Sequence, residues 1–163
     1  MGLKETEELI RHEIVEGYDR YYRLAFSYVH NQSDALDIVQ ESAYKAILNS
    51  KKLRNPHLVR AWIYRIVLNE ALQHINKYKK PYIELEEVAN SLEGKEEEKV
   101  DQDLKDALNR LEEPDRTIVI LRYLEDMKIE DIAYILQKNV NTVKSKLYRA
   151  MRKLRISLEE VSG

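Results

Sequence analysis

"KIEDIAYILQKNVNTVKSKLYRAMRKL", Lys128 to Leu154, is the stretch on which the reading of this chain turns. Ile129, Ile132, Ala133 and Leu136 recur at helical spacing and form the apolar face of a short first helix. "QKN" is long enough for the tight turn of a helix-turn-helix. Asn139 is a good cap for a second helix, in which Val143, Leu147, Met151 and Leu154 make the expected buried stripe. The turn usually wants Gly where Gln137 stands. Gln137 at positive φ would cost about 1 kcal/mol, so the turn is expected to differ locally from the usual one.

The second helix is strongly basic. Lys144, Lys146, Arg149, Arg152, Lys153 and Arg155 follow one another with no acid among them. Thr142, Lys146, Arg149 and Lys153 share one face, and Asn141, Lys144 and Ser145 fill the exposed first turns. Such a helix suits the major groove of DNA: short polar side chains reach base edges, while Lys and Arg hold phosphates. A basic outer face on an ordinary bundle helix would show the same pattern.

Composition narrows the alternatives. The chain has 163 residues, 44% hydrophobic and 34% charged, with 4 Gly and 3 Pro, which favours helices over strands. No Cys is present, so a disulfide framework and a thiolate metal site are excluded, and a reducing cytoplasm suits the chain. No apolar run approaches the roughly 20 residues of a membrane span, and the charged N-terminus does not read as a signal peptide. The formal net charge of −2 conceals segregation. Residues 51–80 hold 8 basic and 1 acidic side chain, residues 132–163 hold 7 and 2, and residues 81–117 between them hold 5 and 13. Two basic islands in an acidic chain point to polyanion contacts at two places.

The rest of the chain reads as helices too. Glu5 to about His30 has the pattern of one long helix. After the polar break "HNQSD", Ser33 is expected to cap a helix to about Asn49, with Leu36, Val39, Ala43 and Ile47 on its apolar face. Asn55–Pro56 is a helix start, and Pro81 ends that helix after Lys80. The acidic segment 81–97 lacks a long periodic face and reads as a linker. Helical pattern resumes from Val100, and Pro114 starts a further helix to about Leu124. The expected fold is all-α: two small helical domains, 1–80 and 98–163, joined by the linker, the second ending in the helix-turn-helix.

The first basic island carries Arg65, Asn69, Gln73, Asn76 and Lys80 as a polar stripe, with Lys77 beside it. Asn and Gln one turn apart are donor–acceptor pairs suited to base edges. Lys51, Lys52 and Arg54 precede the helix and suit phosphates. An ordinary solvated face remains the plain alternative, and Trp62 is more often a core residue than a stacking platform.

These residues resemble a family. "DALDIVQESAYKAI" followed by "RAWIYRIVLNEALQHINKYKK", and then "LEEPDRTIVILRYLEDMKIEDIAYILQKNVNTVKSKLYRAMRKL", look like the two blocks of a bacterial RNA polymerase sigma factor of the extracytoplasmic-function class. "RLAFSYVHNQSDALDIVQES" is similar to the SigV-type factors of Gram-positive bacteria. The resemblance implies a promoter-specificity subunit, not an enzyme, with no cofactor and no metal site. It implies that Asp34, Asp37, Gln40 and Glu41 bind core RNA polymerase. Arg54, Trp62, Arg65, Asn69, Gln73, Lys77 and Lys80 would meet the single-stranded minus-ten element. Asn141, Thr142, Lys144, Ser145, Lys146 and Arg149 would meet the minus-35 duplex. It further implies an envelope-stress regulon and a membrane-bound anti-sigma factor that restrains an otherwise cytoplasmic protein. The chain departs from the family at Gln73, Lys77, Gln137 and Asn141, which bears on which promoter is read.

Two rivals are weighed against this. A stand-alone helix-turn-helix regulator would need a dimer surface and would bind duplex DNA without polymerase. A helical enzyme or metal protein finds little support, since His12, His30, His57 and His74 are scattered.

Overall fold

The structure is a computed structural model and describes residues 2–78 and 96–162. It is helical, with no strand among the described residues. The helices fall into two compact units, Met1–Val88 and Ala89–Gly163. The expected linker 81–97 lies outside the described residues except for Glu96 and Glu97, which open a helix. Lys80 and the expected stop at Pro81 also lie outside them.

The first unit contains α1 (Leu3–Glu16), α2 (Tyr18–Val29), α3 (Gln32–Leu48) and α4 (Val59–Tyr78). Helices α2, α3 and α4 pack pairwise, and α1 lies against all three. Ile10, Tyr21, Leu24, Val29, Ile63, Tyr64 and Val67 fill the core.

Residues 5–30 are two helices, not one, and the break is Gly17. A Cβ there would lie 2.5 Å from Arg20 Nη2 and 2.9 Å from both the Glu13 carbonyl and the Tyr21 ring. Only glycine admits the neighbours this closely. The packing has a polar centre at Glu13, whose carboxylate accepts hydrogen bonds from Arg20 and from the Tyr21 hydroxyl, both at 3.0 Å. Arg60, at the start of α4, donates to the same oxygen at 3.4 Å. Burial, and then the neighbouring Glu13 charge, pushes the Tyr21 phenol far above its ordinary pKa.

Helix α3 departs from expectation in two ways. Its cap is Asn31, not Ser33: the Asn31 side chain accepts from the Asp34 backbone N–H at 2.9 Å. Its core stripe is Ala35, Ile38, Val39, Ser42 and Ala46, while Leu36, Ala43 and Ile47 are only half-buried. The buried Ser42 hydroxyl donates to the Ile38 carbonyl at 2.6 Å. The buried side shares only Val39 with the expected face, so it is rotated from the one that apolar spacing suggested. The Asn55–Pro56 start is present, with Asn55 accepting from the His57 N–H at 3.0 Å, and a 3₁₀ turn over Pro56–Leu58 leads into α4.

The second unit contains α5 (Glu96–Asn109), α6 (Asp115–Val119), α7 (Ile129–Leu136) and α8 (Val140–Ser162). After Val119 the chain widens into a π-turn over Ile120–Leu124, closed by Glu125 N–H donating to the Ile120 carbonyl at 3.0 Å. Helices α5, α6 and α7 all pack on α8.

The turn between α7 and α8 has regular geometry without glycine. Gln137 sits at φ 55° and ψ 45°, in the left-handed region. Lys138 N–H donates to the Ala133 carbonyl at 3.0 Å and Gln137 N–H to the Tyr134 carbonyl at 3.3 Å. This is the Schellman pattern, which satisfies the carbonyls at the end of α7. Asn139 then caps α8, its side chain accepting from the Thr142 N–H at 2.8 Å.

Candidate polymerase and promoter interfaces

The outer face of α3 is acidic with an apolar end. Asp37, Gln40 and Glu41 are exposed. One and two turns further on, Tyr44 and Leu48 are exposed at 63% and 66%. The sequence reading passed over these two, although an aromatic and a leucine spaced from Gln40 by whole turns were a visible signal. Asp34 stands apart from the group. It is half-buried, and its carboxylate lies 3.4 Å from Nε2 of His74 on α4. It joins two helices of the unit.

On α4, Asn69, Gln73, Asn76 and Lys77 are exposed along one side, and Arg65 is half-buried at its upper end. Arg54, Lys51 and Lys52 are exposed just upstream. Trp62 is a correction. At 8% exposure it belongs to the core, because its ring offers the large apolar surface that burial favours, and it does not line the amide stripe. From beneath, α4 is tied to the other helices by the ion pairs of Glu70 with Lys45 and of Arg60 with Glu13. The amide stripe thus stands on a helix held at several points.

On α8, Val143, Leu147, Ala150 and Leu154 are buried, and Met151 is half-buried. The opposite side presents Asn141, Thr142, Ser145, Lys146 and Arg149, which line one open depression. Lys144 is exposed just outside it. Arg149 is not a free cation. Its guanidinium meets the Asp115 carboxylate on α6, with Nη2 at 2.8 Å from Oδ1 and Nε at 3.2 Å from Oδ2. Those hydrogen bonds, and then the carboxylate charge, hold Arg149 above its ordinary pKa. The sequence reading missed Asp115, since nothing local marks it as a partner of a residue so far along the chain.

Among the described residues, no group of three or more His, Asp or Glu could hold a metal ion. No described helix is long and apolar enough to cross a membrane.

Residues 14–80 match the family model for sigma-70 region 2, and residues 101–154 the model for sigma-70, region 4. The chain is 45% identical over 154 residues to RNA polymerase sigma factor SigV of Bacillus subtilis, covering 94% of this chain and 93% of that one. It belongs to the extracytoplasmic-function class of RNA polymerase sigma factors, and within it to the SigV type. A second relative is the ECF RNA polymerase sigma factor SigW of the same organism, 29% identical over 91% of this chain and 89% of the relative. Among solved structures, the sigma factor RpoE of Bartonella quintana, crystallised with the anti-sigma factor NepR, aligns with a TM-score of 0.68 and 25% identity, covering 91% of this sigma factor and 96% of RpoE. The region 2 match sets aside the stand-alone regulator, and the chain is a promoter-recognising sigma factor.

Proposed function

We propose that this sigma factor divides its work among three faces. The α3 face, with Asp37, Gln40, Glu41, Tyr44 and Leu48, binds the clamp of core RNA polymerase. Its acids complement a basic partner surface and its two apolar side chains are buried on contact. Asp34 supports this face by holding α3 to α4. The α4 stripe of Asn69 and Gln73, with Arg54, Arg65 and Lys77 around it, reads and holds the unpaired minus-ten strand, and a flipped base is recognised there by its edge. The α8 face, with Asn141, Thr142, Lys144, Ser145, Lys146 and Arg149, enters the major groove of the minus-35 element.

The observation that carries this reading is the contrast of chemistry among the exposed faces: acid and apolar on α3, amide on α4, cation and hydroxyl on α8. The small net charge of −2 fits a subunit that relies on polymerase for many of its phosphate contacts, since a strongly basic chain would bind DNA indiscriminately. The acidic segment 81–97 suits a basic channel within the polymerase. We place the protein in the cytoplasm, restrained by a membrane-bound anti-sigma factor and serving an envelope-stress regulon. The complex of a related sigma factor with NepR supports the anti-sigma part of this reading.

Run-off transcription with core polymerase on promoter fragments of the cognate genome tests the function. Promoter-specific transcripts that require this chain are expected, and their absence across the whole library would overturn the reading.

A further inference from the structure

Arg149 is held in an unusual way for a residue on a DNA-facing helix. Its partner, Asp115, belongs to α6, outside the helix-turn-helix, and is only 3% exposed, whereas the Arg149 side chain is 53% exposed. Nε and Nη2 both donate to that one carboxylate, and Nη2 reaches both of its oxygens, at 2.8 and 3.0 Å. A guanidinium has five N–H donors in a rigid planar fork. With the Nε edge engaged, the Nη1 edge remains for a ligand. That edge can offer parallel N–H groups to the O6 and N7 of a guanine, or to two phosphate oxygens. Arg149 lines one open depression together with Asn141, Thr142, Ser145 and Lys146.

We propose that Asp115 is a positioning residue for minus-35 recognition: it grips one edge of the Arg149 guanidinium and so aims the other at the duplex. An unrestrained arginine would settle on any nearby phosphate and would have to lose its side-chain freedom on binding. A clamped one meets the duplex in one orientation, and so discriminates between base pairs. Lys146, beside it, has no planar fork and no equivalent edge to orient. The cost of the arrangement is an acid close to a polyanion, which weakens binding to every sequence alike. An acid kept near DNA is therefore expected to raise selectivity at the expense of bare affinity. The inference rests on the reading of α8 as the duplex-binding helix.

The experiment uses holoenzyme assembled from the full chain and core polymerase. A promoter is selected by the wild-type holoenzyme from a randomised duplex library, and each minus-35 base pair is then replaced in turn. The base pairs under Arg149 are those at which Arg149→Ala loses discrimination in transcription. Asp115→Asn is expected to lose discrimination by roughly three- to tenfold at those same base pairs. It should keep discrimination elsewhere and bind unrelated DNA at least as well as wild type. Asp115→Glu, which keeps the charge, is expected to recover part of the loss. Where Asp115→Asn lowers the melting temperature too far for assay, Arg149→Lys keeps the cation, removes the fork and is expected to flatten the same positions. Full discrimination in Asp115→Asn or Arg149→Lys, or an equal change at every base pair, would overturn the inference. A wild-type holoenzyme with no minus-35 preference would overturn the reading of α8 itself, and this inference with it.

Discussion

The two helices proposed to face DNA carry different chemistry. The α4 face is built from neutral amides, Asn69, Gln73 and Asn76, on a helix tied down by Glu13, Asp34 and Lys45 from other parts of its unit. The α8 face is built from cations and short polar groups, and here the tie reaches one of the proposed DNA contacts directly, through Asp115 and Arg149. The difference suits the two ligands proposed for them. Unpaired bases expose their edges and can be read by amides on a rigid platform. A duplex presents a wall of phosphate, so cations bring the helix in and at least one must be aimed before it can select.

The sharpest way to break this comparison is at Asn69. Asn69→Ala with Gln73→Ala should cut run-off transcription by about tenfold or more, since a good bidentate amide contact is worth about 1–3 kcal/mol. The loss should keep the same salt dependence as wild type, because no charge is removed. A variant that opens promoters normally would take the minus-ten role away from α4.

The platform beneath α4 can be tested next. Gly17→Ala forces a methyl against the Glu13 carbonyl and the Tyr21 ring, which should cost about 1–3 kcal/mol in chemical denaturation. An unchanged midpoint would mean that the α1–α2 corner gives way freely. Tyr21→Phe should cost about 1 kcal/mol through the lost hydrogen bond to Glu13. Tyr21 also carries a pH signature. Its folded pKa is raised, so it stays protonated in the native state while the unfolded phenol ionises near its usual value of about 10. Its contribution is therefore complete below about pH 10 and is lost as pH rises above that. Tyr21→Phe should flatten the alkaline fall in stability, and an identical alkaline limb in both proteins would remove Tyr21 as its source.

The smallest effect is expected on α8. Lys144→Ala should weaken minus-35 binding by a few-fold on all sequences and lower the salt slope by about one. A change confined to one base pair would instead make Lys144 a base reader and blur the division between the two helices.

Much of this was open to reading in the chain. The helix-turn-helix and the cap at Asn139 were legible because periodicity and capping are local, whereas the turn expected to differ at Gln137 keeps the ordinary left-handed geometry. The two basic islands were legible because clustering of charge needs no fold to be seen. The candidate site was legible in part. The exposed face of α4 agreed with its amide spacing, whereas Trp62 is buried and Asp34, expected among exposed acids, is half-buried beside His74. Both differences concern residues whose position on a helix was right but whose surroundings come from another helix.

What the sequence by itself determined, then, is the all-α class, the placing of charge and the membership of a sigma-factor family. Each depends on residues within a few turns of one another. Only the tertiary structure decided which side of α3 is buried, why the first helix breaks at Gly17, and that Arg149 is gripped from α6. These depend on which distant segments the fold brings together: the helices packed on α3 set its covered side, and a buried carboxylate such as Asp115 must find its partner wherever the fold brings one.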